Sequence, residues 1–221
     1  MYDKKDLIKK ILLAFEQSST NIKYDKIYIY NDGKDSSKQI TVSFGITEQG
    51  NLKKLIDSYC SLNGKLTPKF QPYLNDIGVK PLANNKDFID LLKQAGSDPV
   101  MQMCQERAYD DMYINPAYKF CIDNKLEFEL SKLVISDSYL HSGSILTFLR
   151  NKFSERTPVN GGNEKIWIES YCKARKEWLS NHSNALLRNT VYRMNFMLDR
   201  IEKGDWGLTQ SPFIANDVKI V

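Results

Sequence analysis

Histidine is nearly missing from this chain, which carries only His141 and His182 in 221 residues. That scarcity weakens any imidazole-based catalytic triad and any histidine-ligated metal centre. Cysteine is sparse as well. Cys60, Cys104, Cys121 and Cys172 are scattered and form no CxxC pair, so neither a zinc site nor a redox motif is indicated and buried thiols are expected. No apolar run reaches the roughly 18 residues of a membrane span, so membrane insertion is not expected. There is no internal repeat, no low-complexity segment and no basic patch interleaved with aromatics. With 31 Lys and Arg against 27 Asp and Glu, the balance of +4 does not argue for nucleic acid. It also bears on substrate, because a polycationic polymer is drawn to an acidic protein.

What is present suffices for a substantial core. Hydrophobic residues make up 42% of the chain, enough for one large domain or two lobes around a cleft. The run Lys9 to Phe15 has the look of a short signal core, but it leads into Glu16 without a small-residue cleavage site and reads as an amphipathic helix. Asp3 can cap that helix, with Leu7, Ile8, Ile11, Leu12 and Phe15 on one face. Asn31-Asp32-Gly33 signals a turn, and Gln39 to Phe44 reads as a strand, so residues 27–44 are expected to form a small hairpin. Leu52, Leu55, Ile56 and Tyr59 fall at helical spacing. Residues 64–85, punctuated by proline and glycine, are the expected crossing between lobes.

Further helices are expected over 86–94, 98–111, 130–141, 164–179 and 185–202, with Ser142-Gly143-Ser144 setting off the segment 145–153. Asn115-Pro116 marks a break and a new helix start, and the tail from Gly207 a loop. The predicted class is α+β, mainly α, with one small sheet inserted early.

Two carboxylates dominate the chemistry-bearing residues. Glu16 ends an apolar helix, and Asp32 and Asp35 sit in the turn sixteen and nineteen positions on. Glycoside hydrolysis needs one carboxyl to protonate the leaving oxygen and another to activate water or attack the sugar. A carboxyl at the end of an apolar helix can hold its proton, while one in a solvated turn stays ionised. Thr41, on the strand that follows, has a hydroxyl able to orient a water. Asp137 lies in an apolar helix one turn before His141, and a buried Asp needs a partner. Arg175 and Arg188, from later helices, are the candidates for that pairing. Trp167 and Trp178 fall at helical positions where core packing is the better expectation than sugar stacking.

Laid out in order, these pieces resemble the chitosanases of glycoside hydrolase family 46, nearly end to end. Ala14-Phe15-Glu16-Gln17-Ser18-Ser19 is similar to the family's acid-bearing helix end, and Asp32-Gly33 to the turn bearing its base. Phe44-Gly45, Gly50-Asn51-Leu52, Tyr113 to Ala117 and Asp137 through His141-Ser142-Gly143 follow in the family's order. The most specific block is Arg156-Thr157-Pro158, Gly161-Gly162, Glu164 and Ala174-Arg175-Lys176.

The resemblance implies a lysozyme-like fold of two mainly helical lobes around a substrate cleft, with 1–221 one catalytic domain. It implies an endo-acting, inverting β-1,4 hydrolase of an amino-sugar polymer that uses no metal or cofactor. Glu16 would be the acid and Asp32 the base, with Asp35 as the alternative base because the hairpin lacks the family's glycine-rich form. Thr41 would position water. Asp137, Arg175 and Arg188 would form the ionic network behind the acid, with Arg193 the alternative to Arg188. Asn51 and His141 would contact substrate. Asn51 stands where relatives commonly place an acid to grip a glucosamine ammonium, and an amide instead suits an acetamido or hydroxyl group. Chitosan is therefore the first expectation and the peptidoglycan glycan strand its challenger. A non-hydrolytic polysaccharide-binding module and an antibacterial effector paired with an immunity protein are the alternative classes. The protein is expected to be a secreted or exported monomer.

Overall fold

The computed structural model describes residues 4–31, 34 and 37–221. The chain divides into two compact units, one of Met1–Asn21 with Asp111–Val221, the other of Ile22–Asp110. It opens in the first unit with helix α1, Lys5–Gln17, which buries Ile8, Ile11, Leu12, Leu13, Ala14 and Phe15. Each large apolar side chain among these contributes about 1.5–3 kcal/mol through burial. Asp3, the expected cap, lies outside the described residues. The helix ends where Ser18 turns left-handed at φ 47°.

The second unit begins with a three-stranded antiparallel sheet: β1, Ile27–Tyr30; β2, Gln39–Val42; and β3, Ile46–Thr47, in that spatial order. The expected hairpin is its first half. On the central strand, Thr41 lies opposite Tyr28 on one side and Thr47 on the other. Helix α2, Leu52–Ser61, buries Leu52, Leu55, Ile56 and Tyr59, the four residues picked out by spacing. Helices α3, Thr67–Phe70, α4, Lys86–Ala95, and α5, Pro99–Tyr109, complete the unit.

The expected crossing at 64–85 is corrected by the structure, because that whole segment lies inside the second unit. The chain passes between units at Asn21–Ile22 and Asp110–Asp111 instead. Two features hold the segment in place. Phe70 meets Tyr59 and Phe88 edge-on at 5.7 and 6.3 Å. The buried carboxylate of Glu48 accepts from the backbone N–H of Leu82 at 2.5 Å and of Ile40 at 3.1 Å, tying the segment to β2. Proline and glycine here mark tight turns of a packed segment, not a linker.

A π-helical turn, Asp110–Ile114, leads directly into α6, Asn115–Asn124. The break expected at Asn115-Pro116 is this widened turn. Pro116 has no N–H to donate, and a wider turn accommodates its ring. In the first unit follow α7, Glu129–Ser142; α8, Thr147–Arg150; α9, Glu164–Ser180; α10, Ala185–Arg188; and α11, Tyr192–Glu202. Within the segment 145–153 the helix is α8. The single helix expected over 185–202 is interrupted at Asn189, Thr190 and Val191. There the Thr190 hydroxyl donates to the Leu187 carbonyl at 2.7 Å, a local side-chain bond of the kind that competes with helix.

The tail also departs from expectation. Strands β4, Phe213–Ala215, and β5, Val218–Ile220, form an antiparallel hairpin. Asn216 and Asp217 close it with φ of 49° and 62°, the two positive values that a type I′ turn requires.

Candidate active site

Helix α7 runs through the first unit with Asp137 wholly buried. Two cations answer that charge. Arg175, also wholly buried, comes from α9 and donates through Nη1 to Asp137 Oδ2 at 2.7 Å. Arg193, 3% exposed, comes from α11 and donates through Nη1 to Asp137 Oδ1 at 2.9 Å. Its other terminal nitrogen, Nη2, donates to Glu16 Oε1 at 2.5 Å. The Glu16 side chain keeps 27% of its surface exposed. One guanidinium thus links a buried carboxylate to a carboxyl that reaches solvent. Arg193 lies over the rings of Phe15 and Tyr192 at 5.5 and 5.9 Å. The Tyr192 hydroxyl donates to the Phe15 carbonyl at 2.6 Å.

The charges in this cluster decide one another. Burial works to raise the Asp137 carboxyl, but Arg175 and Arg193 outweigh it and hold it below the usual carboxylate range. Burial opposes the Arg193 cation, and Asp137 followed by Glu16 reverse that, raising it. His141 is pushed the other way. Burial and then the neighbouring Arg193 lower its imidazole to about 4, with Asp137 offsetting part of this. Its Nδ1 lies 3.1 Å from Arg175 Nη2, so a neutral ring accepts from the arginine. Tyr113 is raised to about 12, by burial first and then by the negative charge of Glu16.

Glu16, Asp137, Arg175 and His141 therefore come together in the first unit. Arg188 does not join them. Its Nη1 donates to the carbonyls of His182 and Ser183 at 2.6 and 2.8 Å, and Arg193 holds the second side of Asp137 instead. The reason is the interruption after α10, which gives Arg188 and Arg193 separate helices. Thr41 and Asn51 belong to the second unit. Thr41 is buried, and its hydroxyl has no hydrogen-bond partner among the described residues. Asn51 precedes α2, half-buried, with no side-chain capping bond. Asp32 and Asp35 lie outside the described residues. Among the described residues no group of His, Cys, Asp or Glu could hold a metal, and no helix is long and apolar enough to cross a membrane. All four cysteines are free thiols, three of them buried.

Sequence reasoning passed over Tyr192, whose only signal is its place beside Arg193. It also passed over Asn216, whose signal is the turn-forming pair Asn216-Asp217.

Comparison with known proteins agrees with this architecture. The sequence profile of glycosyl hydrolase family 46 matches residues 10–211. The chain is 24% identical over 195 residues to a chitosanase of Bacillus subtilis strain 168, across 82% of this chain and 69% of that protein. It superposes on a mutant chitosanase of Bacillus subtilis MY002 complexed with 6 GlcN, with a TM-score of 0.81 and 22% identity. That match covers 99% of this chain and 98% of the other. A complex of a Gynuella sunshinyii chitosanase with chitotetraose gives a TM-score of 0.79 at 16% identity, over 99% and 97% of the two chains. A mainly helical chain with a small antiparallel sheet and this likeness has a lysozyme-like α+β fold, the architecture of a glycoside hydrolase. More narrowly, the chain belongs to glycosyl hydrolase family 46.

Proposed function

We propose that this chain is an endo-acting hydrolase of the β-1,4 bonds of chitosan, working by inversion, with Glu16 as general acid. The observation that carries the reading is the Arg193 bridge between Glu16 and buried Asp137. Arg193 occupies Oε1 of Glu16, and Oε2 accepts no hydrogen bond from the described residues, leaving one oxygen to face a leaving group. In the proposed step Glu16 gives its proton to the glycosidic oxygen as the C1–O bond breaks. A water attacks C1 from the opposite face and passes a proton to the base. The carboxylate left on Glu16 then rests against Arg193, whose own charge is held in place by Asp137.

Asp32 is the proposed base, with Asp35 the alternative, on the strength of the family resemblance. Thr41 is proposed to position the water. Its buried hydroxyl, without a hydrogen-bond partner among the described residues, supports that role, since a buried hydroxyl calls for a hydrogen bond. Support for chitosan comes from the family and from the relatives solved with 6 GlcN and chitotetraose. Asn51, an amide with no capping bond to make, favours the peptidoglycan glycan strand as the second reading. Either polymer lies outside a cell's cytoplasm, so export as a monomer is part of the proposal.

The test is reducing-end release from chitosan and from peptidoglycan by the wild type and by Glu16→Gln. Wild type should cleave chitosan, and the variant should lose about 10²-fold or more in kcat with its melting temperature unchanged. Normal turnover by Glu16→Gln refutes the acid assignment, and cleavage of peptidoglycan alone refutes the substrate. Comparing Asp32→Asn with Asp35→Asn identifies the base, and the anomer first released, read by NMR, tests inversion.

A further inference from the structure

The carboxyl-terminal hairpin begins beyond residue 211, where the family match stops, yet it reaches the end of the helix that carries Glu16. The carbonyls of the last turn of α1 run short of helical donors, that of Ala14 keeping only the Ser18 N–H. Two side chains supply them. Tyr192 donates to the Phe15 carbonyl at 2.6 Å. Asn216, at the tip of the hairpin, donates through Nδ2 to the Ala14 carbonyl at 3.1 Å and to the Ser18 hydroxyl at 3.0 Å. The Ser18 N–H closes on the same Ala14 carbonyl at 3.1 Å, so Asn216 grips both ends of the turn that stops the helix. A run of rings joins the two anchors. Phe15 meets Tyr192 at 5.8 Å and Phe196 at 5.5 Å, and Phe196 meets the buried hairpin residue Phe213 at 6.4 Å.

We propose that Asn216 is a positioning residue for the general acid, fixing the last turn of α1 so that Glu16 meets Arg193 in one orientation. This rests on the reading of Glu16 as the acid. Among the described residues no hydrogen bond or ion pair joins the hairpin to Arg193 or Asp137, so it acts through the backbone. Glu16 lies between the two residues that Asn216 holds. If that turn loosens, the direction of the Glu16 side chain loosens with it, and misplacement of a catalytic group by about 1 Å can cost up to 10²-fold in rate. Substrate affinity from the rest of the enzyme is left intact.

The experiment compares Asn216→Gly and Asn216→Asp with wild type and with Asp217→Asn. Glycine and aspartate both accept the positive φ of this turn, so the hairpin keeps its shape, but neither can donate to Ala14. Both variants should show kcat about 5- to 30-fold lower at unchanged KM, with faster hydrogen exchange at the Ser18 amide. Asp217→Asn, altering the neighbouring exposed turn residue, should keep wild-type kcat. Unchanged kcat in Asn216→Gly overturns the proposal. So does a loss that disappears on cooling in step with refolding, or one that appears equally in Asp217→Asn. Glu16→Gln run alongside separates the two ideas. If it retains turnover, the acid reading fails; if it is inactive while Asn216→Gly is normal, only the positioning role fails.

Discussion

Arg193 Nη2 lies 2.5 Å from Oε1 of Glu16 while Nη1 of the same guanidinium holds Asp137. Arg193→Ala removes both contacts at once. Asp137 keeps Arg175 but loses half its compensation in a fully buried site, which should cost about 3–5 kcal/mol of stability. Arg193→Lys restores one charge but not the planar fork that bridges two carboxylates. Thermal unfolding should therefore place the lysine variant between alanine and wild type. Chitosan turnover should fall at least tenfold in both. A lysine variant with full turnover would show that charge alone, without the fork, serves Glu16.

His141 makes the fold sensitive to acid. In the folded protein burial and the nearby arginines keep its ring neutral down to about pH 4. In the unfolded chain it takes a proton near its ordinary value of roughly 6.5. Between these values the unfolded state binds more protons, so stability falls as pH drops from about 6.5 to about 4, by at most about 3 kcal/mol. Asp137, held low by its arginines, adds a second loss below roughly pH 4, where its unfolded carboxyl protonates. His141→Gln retains an acceptor for Arg175 but does not titrate. Its melting temperature should be flat through the first window and fall only in the second. If the wild type showed no decline between pH 6.5 and 4, the neutral buried ring would be refuted.

Much of this was legible beforehand because it is periodic. The apolar spacing in α1 and α2 fixed which residues would be buried, and a carboxylate at the end of such a helix drew attention to Glu16. Asp137 stood out because a charge inside an apolar helix demands a partner. Its partners were harder to read. Arg188 is the partner the sequence suggests first, with Arg193 the alternative, and the choice depends on the helix interruption at Asn189, Thr190 and Val191. The lobe crossing was misplaced because proline and glycine report turns, whether or not the segment packs. Glu48, whose carboxylate anchors Leu82, holds 64–85 in place through a contact 34 residues away, which no local pattern reveals. The final hairpin escaped notice because three-residue strands carry almost no alternation.

The separate placement of the two arginines gives its own test. Arg188 donates to two carbonyls in an exposed turn and touches neither carboxylate. Arg188→Ala should cost no more than about 1 kcal/mol, the usual range for a single exposed hydrogen-bonding side chain. Its kcat and KM should match wild type. A loss of turnover comparable to that of Arg193→Ala would mean that Arg188 belongs to the acid's network after all.

In the second unit the analogous buried polar hub is neutral to the chemistry, and its prediction concerns folding alone. Asp98, 5% exposed, accepts from the Tyr59 hydroxyl at 2.6 Å, the Lys65 N–H at 2.9 Å and the Val100 N–H at 3.0 Å, the last as the cap of α5. The Tyr59 oxygen in turn accepts from the Leu66 N–H at 2.9 Å. Gly64 is required beside it, since a Cβ there would sit 2.0 Å from the tyrosine ring. Tyr59→Phe strands the Leu66 N–H and takes from Asp98 Oδ2 one of its two donors, leaving it the Lys65 N–H, and should cost about 1–3 kcal/mol. Asp98→Ala loses a helix cap and leaves a buried hydroxyl without an acceptor, about 2–4 kcal/mol together. Because the two share one bond, the double variant should cost less than the sum by about 0.5–2 kcal/mol. Urea unfolding of the four proteins measures that coupling. Strict additivity would mean that the Tyr59–Asp98 bond contributes nothing, and that the cap and the Leu66 contact act independently.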